Sequence, residues 1–141
     1  MDKLPEFAMN HPELFAALAI VLAIMVGGPL ISRLRGLKAV GPSEALGLMN
    51  HHDALVLDIR ENKEFADGHI LGSRHIPQSR LSAEVERLKH DKDKPIVAVC
   101  NSGARSKSAC SLLAKNGYEQ VYNLTGGVMA WKNANLPLTK K

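Results

Sequence analysis

Residues 96–106 read IVAVCNSGARS. Ile96 to Val99 are apolar and mostly β-branched, the composition of a short strand buried on both faces. Cys100 follows at once, then Asn101-Ser102-Gly103-Ala104-Arg105-Ser106. A helical pattern runs from about Arg105 to Asn116, with Gly117 at a C-terminal capping position. A strand that passes through a tight loop into a helix is the repeating unit of a parallel α/β sheet.

The flanking sequence repeats this alternation. Gly41-Pro42-Ser43-Glu44 opens a helix that continues as EALGLMN. Ala54 to Leu57 is an apolar run ending in Asp58, a second buried strand. Glu61 to Ala66 makes a helical turn or two. Gly68 and Gly72 bracket a turn, and His75-Ile76-Pro77 is a short extended piece stopped by proline. Leu81, Val85 and Leu88 place an amphipathic helix over Ser82–His90. Val121-Tyr122-Asn123 is a third strand and Val128–Asn133 a last helix. The predicted fold is α/β, a mostly parallel central sheet with helices on both faces.

In such sheets ligands bind beyond the carboxyl ends of the strands. The loop after Val99 aims backbone N–H groups into one concavity at a helix N-terminus, which favours an anion. A cysteine at its base feels the same field, so its thiolate is stabilised below the free value of about 8.5. Gly103 admits a turn that a Cβ would obstruct. Arg105 adds a permanent charge and a fork of donors suited to an oxyanion. These residues predict a nucleophilic Cys100 in an anion cradle formed by Asn101, Ser102, Gly103, Ala104 and Arg105. The plainer alternative is an inert cysteine ending a core strand.

The N-terminal part has a different composition. Leu14 to Ser32, LFAALAIVLAIMVGGPLIS, holds no charge over nineteen residues. As a helix it is about 28 Å long, close to the roughly 30 Å hydrocarbon core of a bilayer. It is apolar all round, without the polar stripe of a surface helix. A cleaved signal peptide wants a basic start and a small-residue cleavage site. Here Asp2, Glu6 and Glu13 face a lone Lys3, and no A-x-A pattern follows. Arg33, Arg35 and Lys38 lie after the segment, which places the following domain in the cytoplasm and the N-terminus outside.

The expected organisation is an extramembrane segment at 1–13 and a transmembrane helix at 14–32. A basic linker at 33–39, a soluble domain at 40–138 and a tail at 139–141 follow. The expected location is the inner membrane of the cell, crossed once.

Composition excludes several classes. The chain has 141 residues, too few for two full domains. Its 45% hydrophobic and 23% charged residues are globular values. Aromatics at 4% argue against a stacking platform for single-stranded nucleic acid. Two cysteines make no disulfide scaffold and lack zinc-site spacing, so no metal is expected. The net charge of +4 is largely accounted for by the basic flank, so nucleic acid is not needed as a partner.

Three blocks in order resemble the rhodanese-like family of sulfurtransferases. CNSGARS matches the family's C-x-x-G-x-R-S loop. DIRENKEFADGHILGSRHIP, residues 58–77, matches its D-x-R…E-F…G-H-I-x-G-A-x-N-I-P block, with Ser73 for the usual Ala and His75 for the usual Asn. GGVMAW, residues 126–131, matches its closing G-G-x-x-A-W, and Leu136-Pro137-Leu138 resembles its tail. The resemblance implies that Cys100 takes sulfane sulfur from thiosulfate or a persulfide. A Cys100 persulfide then passes it to a thiol or protein acceptor, with no cofactor. Four residues separate Cys100 from Arg105, the family's sulfur-transferring spacing. Related phosphatases use a loop one residue longer, so a phosphatase or arsenate reductase is disfavoured.

Asp58 ends a strand on the same sheet edge as Cys100 and is expected to support the loop or its arginine, or to act as a plain cap. Arg60 is expected to pair with Asp58 or Glu64. His69 is read as fold-defining, His51-His52 as a solvated loop, Trp131 and Cys110 as core. The rival function is a membrane-tethered adaptor on a membrane-protein complex, docking through Gly27 and Gly28, with the cysteine incidental. In both readings residues 14–32 meet the lipid bilayer.

Overall fold

The computed structural model describes residues 3–34 and 37–141, without the side chains of 4–6 and 28–34. The chain divides into two compact units, Met1–Arg35 and Gly36–Lys141.

The first unit holds α1 (Lys3–Asn10) and α2 (Pro12–Leu34). Phe7 of α1 meets Phe15 of α2 edge-on, 6.5 Å between ring centroids. α2 is continuous over 23 residues, and every residue from Pro12 to Val26 is exposed. The transmembrane helix expected at 14–32 falls on α2, yet among the described residues no helix is long and apolar enough to cross a membrane. The described side chains of α2 end at Gly27. The side chains of 28–34, and Arg35 of the basic flank, lie outside the described residues.

The second unit is a five-stranded parallel sheet in the order β1-β5-β4-β2-β3. The strands are β1 (Lys38–Val40), β2 (Leu55–Asp58), β3 (Arg74–His75), β4 (Ile96–Val99) and β5 (Val121–Leu124). The helices are α3 (Pro42–His52), α4 (Asn62–Ala66), α5 (Gln78–Glu84), α6 (Ala104–Lys115) and α7 (Gly127–Asn133).

Alternation along β4 builds two cores, because successive side chains of a strand point to opposite faces. Ile96, Ala98 and Cys100 pack with Leu57, Leu81, Leu88, Ala109 and Leu113, on the face of α5 and α6. Val97 and Val99 pack with Val56, Ala45, Val128 and Trp131, on the face of α3 and α7. Emptying a site such as Leu113, which is fully buried, costs about 2–5 kcal/mol.

Three expectations change. The end of the linker expected at 33–39 is strand: β1 pairs in parallel with β5, Val40 opposite Leu124. The helix expected at Ser82–His90 starts earlier, after Pro77, and tightens to 3-10 geometry over Val85–Asp91. Leu81, Val85 and Leu88 are all buried as their spacing predicts, and the Tyr118 hydroxyl donates to the Val85 carbonyl at 2.8 Å where the helix type changes. His51 and His52 are the last turn of α3 rather than a loop, though exposed.

Candidate active site

Cys100 is placed by the pleat of β4. Ile96 and Ala98 face α6, so Cys100 does too, and its sulfur comes to lie under the N-terminus of that helix. Cys100 has no exposed surface. Its Sγ accepts the backbone N–H of Gly103 at 3.0 Å and lies 3.4 Å from the Ser106 hydroxyl. Burial pushes the thiol up. The Ser106 hydroxyl and the N–H groups of Ser106, Gly103 and Ser102 outweigh that and hold it below the ordinary cysteine range. The balance favours the thiolate, the nucleophilic form.

Gly103 turns the loop with φ +95°. A Cβ there would stand 3.1 Å from the Gly126 nitrogen and 3.2 Å from the Leu124 carbonyl oxygen. Loop and β5 thus touch backbone to backbone. Asn123 of β5 ties them together: its Nδ2 donates to the Gly103 carbonyl at 3.1 Å, and its Oδ1 accepts from the Ser106 hydroxyl. The N-terminus of α7 closes the other side. Val128 N–H donates to the Cys100 carbonyl at 2.9 Å and Met129 N–H to that of Asn101 at 3.2 Å. Asn101, Ser102 and Ala104 are exposed, and Gly103 is buried beneath them.

Arg105 is paired. Its Nη1 and Nη2 donate to Glu64 Oε1 and Oε2 at 3.0 and 2.8 Å, a two-pronged contact from α6 to α4. Hydrogen bonding to Arg105 holds the Glu64 carboxyl below the usual range, and Glu64 in turn raises Arg105.

Asp58 is brought neither to the loop nor to its arginine. It accepts Arg60 Nε at 3.0 Å and Nη2 at 2.8 Å, and both side chains are buried. Arg60 Nη2 also donates to the Gly68 carbonyl at 2.8 Å. The pair therefore fixes the turn after α4, the helix that carries Glu64. A buried pair of this kind is sensitive to loss of one partner, because the other is left as an unpaired charge.

His69 braces the same turn. Its ring stacks on Phe65 at 3.7 Å, and its backbone bridges to Thr139. Trp131 is core, its Nε1 donating to the Pro137 carbonyl at 3.1 Å. Cys110 is buried, and burial together with the nearby Cys100 charge pushes its thiol up to about 12. Among the described residues, no cluster of His, Cys, Asp or Glu is arranged to hold a metal.

The residues missed by sequence reasoning are Glu64, Ser106 and Asn123. Glu64 lies inside the matched block at 58–77, yet its partner is 41 residues away. Asn123 reads only as a polar residue in a strand, and its burial at 7% exposure is what marks it.

A family profile described as Rhodanese-like domain matches residues 41–134. The uncharacterized protein YibN of Escherichia coli K12 is 35% identical over 99% of both chains. The thiosulfate sulfurtransferase GlpE of Pseudomonas putida is 36% identical over 67% of this chain and 84% of its own length. Among solved structures, a rhodanese-related protein from Thermoplasma volcanium superposes with TM-score 0.67 at 26% identity. That match covers 74% of this chain and 99% of the other.

Proposed function

We propose that this chain, which belongs to the rhodanese-like domain family, is a sulfurtransferase working through a persulfide on Cys100. Relatives named as sulfurtransferases support that activity at the level of its class. The observation that carries the mechanism is the setting of Cys100 Sγ, 3.0 Å from one backbone N–H and 3.4 Å from a hydroxyl at a helix N-terminus.

Cys100 thiolate attacks the sulfane sulfur of a donor, thiosulfate or a persulfide. The bond from Sγ to that sulfur forms as the donor's S–S bond breaks. The bonding pair leaves on sulfite or on the donor thiolate. The Cys100 persulfide anion stays in the cradle of residues 101–105, where N–H groups face negative charge. An acceptor thiolate then attacks the outer sulfur and returns Cys100 to thiolate. Two half-reactions through a covalent intermediate give ping-pong kinetics.

The test is intact mass after incubation with either donor, with Cys100→Ser as control. One sulfur atom added to the wild type alone supports the reading. Sulfur retained by Cys100→Ser overturns the role of Cys100.

The chain is also proposed to be held in the inner membrane by residues 14–32, with the N-terminus outside and the catalytic unit in the cytoplasm. The uncharged sequence of that segment, the exposure of α2 from Pro12 to Val26, and the basic residues after it support this. The donor and acceptor are then met at the membrane surface.

A further inference from the structure

Free positive charge strengthens the hold of an N–H cradle on a dianion. The loop Cys100–Ser106 carries one charged side chain, Arg105, and the facing segment Gly126–Met129 carries none. Arg105 is not free. Glu64 takes two of its N–H donors at 3.0 and 2.8 Å and matches its charge with a carboxylate. The pair is only partly screened, with side chains 38% and 35% exposed. Glu61, at the start of the same helix, adds a second carboxylate whose field reaches Arg105. Arg60 acts on Glu64 from the other side, but Asp58 already answers its charge. Over residues 61–66, 100–106 and 126–129, Arg105 and Lys63 stand against Glu61 and Glu64, with Lys107 one residue further along α6, before the Cys100 thiolate is counted.

Thiosulfate brings two negative charges to this setting, and an alkyl or protein-bound persulfide brings one or none. Repulsion scales with the product of charges and acts at shortened range in a partly dry site. We infer that Glu64, by holding Arg105 in a two-pronged ion pair, makes a thiol persulfide the preferred donor and disfavours thiosulfate. This inference rests on the proposed persulfide chemistry and narrows its donor. The step balances: Cys100 thiolate takes the outer sulfur of R–S–SH, the donor's S–S bond breaks, and R–S⁻ leaves with the pair. Glu64 acts here through Arg105 and is a positioning residue.

The experiment measures single-turnover sulfur loading of the full chain by intact mass, with 2-hydroxyethyl persulfide and with thiosulfate as donors. The wild type is expected to load faster from the persulfide by about tenfold or more. In Glu64→Gln the ratio of thiosulfate to persulfide loading is expected to rise about tenfold, because the guanidinium regains an uncompensated charge. Glu64→Asp keeps the charge and is expected to keep the wild-type ratio. A wild type that loads faster from thiosulfate overturns the inference. So does a Glu64→Gln ratio equal to the wild type's. Loading from neither donor sinks the sulfurtransferase reading itself, and this inference with it.

Discussion

Gly127 leaves no room for a side chain against Cys100. A Cβ on Gly127 would collide with the Cys100 carbonyl oxygen and stand 2.6 Å from the Asn101 carbonyl carbon. The residue also holds φ +58°, where L side chains are strained. α7 can therefore donate Val128 N–H to the Cys100 carbonyl only while residue 127 is glycine. Gly127→Ala is expected to lower stability by about 2–5 kcal/mol, the sum of strain and overpacking. Loading of Cys100 is expected to fall more steeply than the folded fraction, because the loop itself is pushed. Urea unfolding alongside sulfur loading checks this, and equal stability and loading in the variant would contradict it.

Ser106 is the side chain that does most to hold the Cys100 thiol down. Its single hydroxyl proton has three neighbours: Cys100 Sγ, the Gly103 carbonyl and Asn123 Oδ1. Asn123 Nδ2 already serves the Gly103 carbonyl, so the proton can turn to sulfur when the thiolate forms. Ser106→Ala removes that donor and is expected to raise the Cys100 pKa. The thiolate fraction then develops at higher pH, so iodoacetamide alkylation slows at neutral pH and recovers as pH rises. A pH–rate profile that coincides with the wild type's would refute the role.

Cys110 shares the core with Cys100 but not its chemistry. With its thiol pushed up to about 12, it is almost wholly protonated at neutral pH. The thiolate fraction at pH 7 is on the order of one in 10⁵. Alkylation of the folded chain is expected to modify Cys100 alone, and Cys110→Ala is expected to keep sulfur loading. Peptide mapping after alkylation decides the first point. A disulfide between the two cysteines during turnover would show that Cys110 resolves the persulfide after all.

Most of the site was legible because it is local. The run from Ile96 to Ser106 holds a strand, a nucleophile and a helix start, and alternation alone turns Cys100 toward α6. What escaped is long-range or short. Glu64 meets Arg105 across 41 residues, and spacing gives no sign of such a pair. Asn123 matters only because β5 pairs beside β4. β1 has three residues, two of them exposed, so it shows neither an apolar run nor alternation and reads as linker. Of the two expectations for Asp58 the turn role is the one the structure shows, its Oδ1 accepting the Arg60 backbone N–H at 3.0 Å. Shared position at a sheet edge suggested the loop, but Arg60, two residues on, folds back and occupies both carboxylate oxygens.

Ser73 stands where the family's pattern has alanine, and its hydroxyl is buried without a hydrogen-bond partner. A buried unsatisfied hydroxyl costs about 1–3 kcal/mol. Ser73→Ala removes the group without opening a large cavity. It is expected to stabilise the chain by about 1 kcal/mol, seen as a higher urea midpoint with an unchanged slope. A destabilised variant would mean that the hydroxyl finds a partner in solution.

α2 presents Leu14, Leu18, Ile20, Val21, Leu22, Ile24, Met25 and Val26 exposed, with no polar stripe between them. In water such a surface is an unpaid hydrophobic cost at about 25 cal/mol per Å², and in a bilayer it is the ordinary solvent-facing surface of a span. The full chain is expected to stay with the membrane fraction in high salt and at alkaline pH, and to be released by detergent. A chain starting at Gly36 is expected in the soluble fraction. Release of the full chain by salt alone would leave only a surface attachment. Lys3 before the segment stands against Arg33, Arg35 and Lys38 after it, so a reporter fused at Lys141 is expected to be active in the cytosol. Activity on the far side of the membrane would reverse the topology and place Cys100 in a compartment where thiols are oxidised.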